Sequence, residues 1–549
     1  MILQGFTPLC LFLASLAGRA TARRSSPDWA GWGGNIYNNR WAESDDITAF
    51  NVKTLTRKCY LTYQYGVSAT PVVSDNTVYY PTWNGSFVAL DYTTCSVRWM
   101  LNVTELILDY GPLSPERARS LYQVSRTSPQ IDGDILFFGT QAHALVVAVN
   151  RHTGAVLDRL QINSHPLAVI TISPTFWQGT LFLGTSSYEE PAPLIDPNYP
   201  CCSYIGNAAA VTFDRRRDKL VLKWSVSTLP PPDPGSTGVG WSGAAVWGSQ
   251  PSIDPIRKQV FFATGNVYSF PPAYAHCANE TSEACLPPGV NQEAVLAVDT
   301  ESGRVNWVRR LNRMDAWNGA CVTDPIDTAN CPSEPPGRDA DFGMAPTFVS
   351  RRTAAGLGED VVVVGQKNAV VYALGARDGR IVYARNVSPE GQGGGISWGI
   401  AVDDQRIYYT LPYGGRNANL NVSTTIYGAA NLLSGKAAWR TPATLTSNGI
   451  AFTGPTVAGD LVIYSKTGVI TGDGSPSDYY NSRGALVVLN KRTGEVVFET
   501  DLDTNFWGGV AVQGRYLMFG TGYRTGVTYL GDGSLWVMKV GHHLEQHGG

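Results

Sequence analysis

The sequence predicts an all-β fold, an eight-bladed β-propeller of four-stranded antiparallel sheets. Three observations carry that expectation. A strand–turn–strand pattern returns eight times along the chain. Its apolar strands alternate with period two between Gly turns. The composition agrees: of 549 residues 58 are Gly and 33 Pro, with 11% aromatic and only 16% charged. Such a chain suits many short strands and tight turns and disfavours coiled coils. A hydrophobic content of 43% excludes a chain too polar to fold. A formal net charge of −3 argues against a nucleic-acid binder that neutralises phosphates.

The copies run in order. Phe87–Asp91 leads to Trp99, and Val146–Asn150 to the turn Thr153-Gly154. Ala210–Asp214 leads to Trp224, and Val295–Asp299 to Trp307. Val371–Leu374 is followed by Asp378-Gly379, Ala429–Asn431 by Trp439, and Leu486–Asn490 by Thr493-Gly494. A truncated copy, Leu535–Lys539, comes last. The seven intervals from Asp91 to Lys539 average about 64 residues, so eight copies fill nearly all of residues 23–549 as one domain. Sheets with two apolar faces must pack on neighbours, and radial stacking satisfies all of them. The truncated copy is expected to be completed by the segment Trp29–Trp41. The recurring Trp is read as blade-to-blade packing. Copies three to five are the most widely spaced, which places long rim loops at about 225–345. Loops of that kind commonly build a site.

Residues 1–22 read as a secretory signal: the run Leu9–Ala17 is apolar, and Ala20-Thr21-Ala22 is a small-x-small cleavage pattern. The run is too short to span a bilayer, and no membrane span is expected elsewhere. Removing Cys10 leaves eight cysteines. Short separations suggest Cys277–Cys285 and Cys321–Cys331, and Cys59 and Cys95 remain to pair. Cys201-Cys202 forms either a vicinal disulfide or two different bridges. No C-x-x-C spacing points to zinc. Sequons at Asn84, Asn102, Asn279, Asn386 and Asn421 predict a glycoprotein, secreted or in the secretory lumen.

The repeat A-L-D-x-x-T-G-x-x-x-W resembles the motif of propeller dehydrogenases that hold pyrroloquinoline quinone. Further stretches resemble the polyvinyl-alcohol-dehydrogenase-like branch: Trp29–Asn35, Gly240–Trp247, Ala263–Asn266, Asp315–Asn318, Gly365–Lys367, Trp398-Gly399 and Trp507–Val510. The resemblance implies an oxidoreductase that oxidises an alcohol, small-molecule or polymeric, with a quinone and Ca²⁺ on the propeller axis. It implies Glu189 and Asn266 as Ca²⁺ ligands, oxygen donors as that ion requires. It implies Trp247, Trp398 and Trp507 as floor and rim of the quinone site, and Lys367 beside the quinone oxygens. The pair Cys201-Cys202 is similar to a family disulfide that lies against the cofactor, although it stands later in this chain. The family's catalytic aspartate ends an acidic-Trp-Asp motif, and here Asn318 fills that place. Asn cannot take a proton, so either Asp315 or Asp341 serves as the base or the dehydrogenase chemistry is lost. No C-x-x-C-H occurs, so no covalent haem is expected and electrons would leave to an external acceptor. A monomer is the default expectation. Two other readings stand beside this one: a quinone-free enzyme of secondary metabolism that uses the axial pocket, and a secreted binding module.

Overall fold

Eight four-stranded antiparallel sheets follow one another along the chain. The computed structural model describes residues 28–541 apart from 43, 45, 115–116, 118–120, 232–238, 281–282, 389–394, 397, 413–424, 444–448, 470–482 and 525–531. The signal segment 1–22 and the sequon at Asn421 lie outside the described residues. Blades one to seven occupy 72–102, 130–161, 175–227, 252–310, 347–386, 401–442 and 456–501. The eighth combines three strands within 511–539 with Thr56–Tyr63. The first strand of blade one, Val72–Ser74, lies beside that of blade eight, Ala511–Gln513. Second strands such as Ile135–Gly139, Gln259–Ala263 and Val361–Gly365 are buried on both faces, because each blade is sandwiched between two others. Fourth strands such as Ser96–Asn102 and Ile381–Asn386 are largely exposed. Among the described residues no helix is long and apolar enough to cross a membrane.

The segment Trp29–Trp41 does not complete the last blade. That strand is Thr56–Tyr63, paired with Gly533–Lys539. The earlier segment instead crosses the axis and accepts hydrogen bonds from the innermost strands. Val73 N–H donates to the Trp29 carbonyl, Ile253 to Ile36, Phe348 to Tyr37, Val402 to Asn39 and Val457 to Arg40. These donors belong to blades one, four, five, six and seven. The inner edge of a blade carries backbone N–H groups that need acceptors, and one crossing chain supplies one to each of these five blades. Trp41–Ala42 then adds a parallel fifth strand to blade seven. Arg40 anchors the crossing. Its guanidinium is fully buried, donates to the Pro455 carbonyl (2.8 Å) and Thr456 Oγ1 (2.8 Å), and lies 4.2 Å over the Trp32 ring.

The recurring Trp joins blades. Trp99 Nε1 donates to the Arg151 carbonyl (2.8 Å), Trp224 to Thr300 (3.1 Å), Trp307 to Ala376 (3.2 Å) and Trp439 to Lys491 (3.0 Å). Each acceptor lies in the turn of the following blade. The turn glycine is required there: Gly303 has φ +73°, and a Cβ on it would sit 2.7 Å from Trp224 Cγ. The disulfides Cys59–Cys95, Cys201–Cys202, Cys277–Cys285 and Cys321–Cys331 are all formed.

Gly303→Ala is expected to cost about 2–4 kcal/mol, the sum of a left-handed backbone penalty and a clash with Trp224. Gly179, with φ +78° and nothing within 4 Å of its would-be Cβ, supplies the control. Gly179→Ala should cost only about 1–2 kcal/mol, the backbone part. Urea midpoints measure both. Equal losses would show that Trp docking on the turn does not hold the blades together.

Candidate functional site

A cavity of about 290 Å³ opens where blades three, four and five converge. Glu190 enters it just after the hairpin strand Ser186–Ser187. Asp339 and Asp341 come from the irregular run before Thr347–Val349. Lys367 stands in the turn between Val361–Gly365 and Val370–Gly375, and Trp247 precedes Ser252–Asp254. Irregular backbone supplies every one of these groups, and the sheets beneath fix its ends.

The chemistry is concentrated. One carboxylate oxygen from each of Glu190, Asp339 and Asp341 lies within 4.8 Å of the others. Lys367 Nζ is 2.7 Å from Asp339 Oδ1, 3.6 Å from Asp341 Oδ2 and 5.5 Å from the Trp247 ring centroid. Asp341 is held rigidly: Asn266 N–H donates to Oδ1 (2.7 Å) and Trp247 Nε1 to Oδ2 (3.1 Å). Burial, followed by the charges of Asp341 and Asp339, pushes the Glu190 carboxyl well above its usual range. Burial also lifts Asp339, to about 7, against the opposing pull of Lys367. Burial disfavours the Lys367 charge, but the surrounding carboxylates outweigh it and hold the ammonium above its ordinary value. Three acids against one lysine leave negative charge to be compensated.

The donor set fits a hard cation. Asn266 Nδ2 donates to the Trp317 carbonyl (2.7 Å), while its Oδ1 is buried with no donor on it. A cluster of three carboxylates, with an orphaned amide oxygen on the residue whose backbone N–H holds one of them, is a donor set of the kind that Ca²⁺ takes. The flat Trp247 ring, with Lys367 above it and Arg126, Thr171 and Ser186 around it, suits a planar anionic group.

Of the residues singled out from the sequence, Asn266, Asp341, Lys367 and Trp247 come together here. Glu189 does not face the cavity. It is fully buried on the other side of the chain and accepts from Ser203 N and Oγ, from Tyr204 N (2.6 Å) and from Tyr199 OH (3.0 Å). His165 Nε2 lies 3.5 Å away. Burial works against its charge, but these donors prevail and hold the carboxyl below its usual range. Glu189 therefore anchors the loop that carries Cys201 and Cys202. That bonded pair lies 3.5 and 3.9 Å from Asn318 Nδ2 and is not part of the cavity wall. Asn318 has no free function there. Its amide donates to the Asn330 carbonyl (2.9 Å), and its Oδ1 accepts from Ala320 N (2.9 Å), capping the turn Gly319–Val322. Asp315 accepts from the backbone N–H of Arg338 (2.7 Å), Asp339 and Ala340 (2.7 Å). It holds the strip that carries Asp339 and Asp341. Trp398 and Trp507 wall a smaller axial cavity of about 60 Å³ together with Trp32 and Tyr523. Their ring centroids are 5.2 Å apart, and this cavity shares Trp247 and Arg126 with the larger one.

Sequence reasoning passed over Glu190, Asp339 and Arg126. The two acids each sit one or two positions from a named candidate. A one-residue shift decides which carboxylate turns inward, and in an irregular loop no periodicity announces it.

The fold and cavity thus define an eight-bladed propeller with an acidic axial site. Residues 29–166 match the family model for the glucose/ethanol/alcohol dehydrogenase β-propeller domain of the PQQ type. The chain is 29% identical over 392 residues to a polyvinylalcohol dehydrogenase of Pseudomonas sp, covering 70% of this chain and 55% of that one. It is 27% identical over 417 residues to a polyvinylalcohol dehydrogenase of Sphingopyxis sp., covering 73% and 57%. It therefore spans little more than half the length of these relatives. The quinohemoprotein alcohol dehydrogenase of Comamonas testosteroni superposes with a TM-score of 0.64 at 17% identity, over 94% of this chain and 81% of that one. The chain resembles quinone-type propeller dehydrogenases in sequence and in architecture.

Glu189→Gln and Glu190→Gln should separate the two adjacent acids. Glu189→Gln turns an amide N–H₂ toward existing donors and should cost about 2–4 kcal/mol. Glu190→Gln replaces a buried acid whose ionisation burial and its neighbours already oppose, and should leave the urea midpoint, measured with a chelator present, unchanged or higher. The reverse order would place Glu189, not Glu190, in the cavity.

Proposed function

We propose that this protein is a secreted oxidoreductase that oxidises an alcohol with a bound pyrroloquinoline quinone and a Ca²⁺ ion. One observation carries the reading: the carboxylates of Glu190, Asp339 and Asp341 converge in the cavity that Trp247 and the ammonium of Lys367 also line, and Asn266, whose side-chain oxygen is orphaned, holds Asp341 through its backbone N–H. Glu190, Asp341 and Asn266 would hold the cation, and Trp247 would underlie the quinone. When bound, the ion supplies a Lewis acid and the quinone a two-electron acceptor for the carbinol hydride.

The chain's own residues supply the rest. Lys367 places fixed positive charge where negative charge grows, and its carboxylate neighbours keep it charged. Asp339 and Asp341 line the cavity and provide the acceptor for the hydroxyl proton. Asp315 positions both through the 338–340 backbone. Overall, an alcohol loses one proton and one hydride to become a carbonyl compound, and both electrons pass on to an external acceptor. The four disulfides and the leader-like residues 1–22 support a secreted location.

Reconstitution tests this. Quinone plus Ca²⁺ should raise the melting temperature, by about 2.7 kcal/mol of added stability at a hundredfold excess over Kd. An alcohol should then reduce a dye acceptor. Asp339→Asn with Asp341→Asn should abolish that activity, and a Ca²⁺ chelator should reverse the stabilisation. If no quinone absorbance stays with the protein and no stabilisation follows, the cofactor assignment is wrong. Turnover without redox change would favour the quinone-free enzyme, and ligand retention without product the binding module.

A further inference from the structure

Besides its acidic cluster the cavity has an apolar lip. Pro191, Leu194 and Val322 form that lip. None of them carries a side-chain donor or acceptor. Leu194 is 50% exposed, and its neighbour Ile195 40%. Ile326, in the loop closed by Cys321–Cys331, is 44% exposed. An exposed large aliphatic group in the lining of a cavity, as Leu194 is, marks a surface that a ligand covers.

The lip is also built to stay in place. Gly319 N–H donates to the Glu190 carbonyl (2.8 Å), which ties the turn Gly319–Val322 to the segment that carries Leu194. The approach is so close that a Cβ on Gly319 would lie 3.0 Å from Leu194 Cβ and 3.2 Å from Pro191 Cα. The Asn318 side chain caps the same turn, and Cys321–Cys331 fixes its far end. An ordered apolar surface binds without an ordering cost.

We propose that this mouth selects alcohols that carry a single apolar tail, aliphatic or aryl, over polyols and over hydroxyl-bearing polymers, and that Leu194 and Val322 set the preference. The proposal rests on the alcohol-oxidising reading and names its substrate class. The hydroxyl reaches the carboxylates while the tail lies along Leu194, Pro191 and Val322. A polyol in that position would turn its remaining hydroxyls against side chains that cannot bond them and would lose water it cannot replace.

The test compares 1-hexanol and benzyl alcohol with glycerol and poly(vinyl alcohol), on protein loaded with pyrroloquinoline quinone and Ca²⁺. We expect kcat/KM at least about tenfold higher for the apolar pair. The double variant Leu194→Ser with Val322→Ser should raise KM for 1-hexanol about tenfold, with kcat within about twofold and glycerol kinetics unchanged. Leu194→Met should keep the wild-type preference. Equal or better turnover of glycerol or the polymer, or a variant that slows every substrate alike, overturns the proposal. Thermal stabilisation by 1-hexanol is read separately from turnover. Stabilisation that the double variant loses, with no alcohol oxidised, would sink the oxidation reading and keep the apolar mouth. Neither stabilisation nor turnover would overturn both.

Discussion

Glu190, Asp339 and Asp341 crowd three carboxyl groups into a buried cavity served by one lysine. Like charges in a poorly solvated space repel strongly, and the folded state tolerates them only with compensation. Lys367 provides part of it, through contacts with Asp339 and Asp341. Protonation provides another part, since Glu190 and Asp339 both sit above their ordinary pKa values. A cation bound to the orphaned Asn266 oxygen and its acidic neighbours would complete the balance. Electrostatic cost of this kind is a common price of a functional site.

The scaffold must resist that repulsion, and it does so in three layers. Four Trp rings each dock a blade on the next, and a glycine turn with no room for a Cβ receives each one. The crossing segment 29–42 gathers the inner edges of five blades, with buried Arg40 at its end. Close to the site, Asp315 and Glu189 spend their charges on backbone N–H groups, so two further acids shape loops instead of adding to the cluster. Adjacent carboxylates in this chain thus do opposite work: Glu189 is stabilised by donors, and Glu190 is destabilised by neighbours.

Resemblance in fold does not by itself fix a reaction, because propellers host many chemistries. What narrows this case is local. The cavity couples an oxygen-donor cluster to a flat indole and a buried ammonium, and part of its lining is aliphatic. A site with one charged wall and one apolar lip orients a molecule that is polar at one end only.

Much of the architecture was legible in the chain itself. Period-two strands recur in every blade, and Gly turns or Trp residues mark each of them in part, so eight sheets follow from counting. Asn266, Lys367 and Trp247 were named through motifs that resemble a family's and Asp341 as an alternative base, and the structure sets these four side by side. The mis-assigned strand Trp29–Trp41 has another cause: its partners lie on five different blades, and only the assembled ring brings their unpaired N–H groups to one axis. The inward acid was likewise beyond local pattern. Glu189 and Glu190 are neighbours with the same chemistry, and the donors at 199–204 capture the first only after the loop has folded back on it. Asn318 and the Cys201–Cys202 pair were drawn away from the site for the same reason, being claimed by loop contacts distant in sequence. Repeating local chemistry writes the blades into the sequence, whereas the choice among adjacent polar groups depends on which distant donors the closed fold delivers to them.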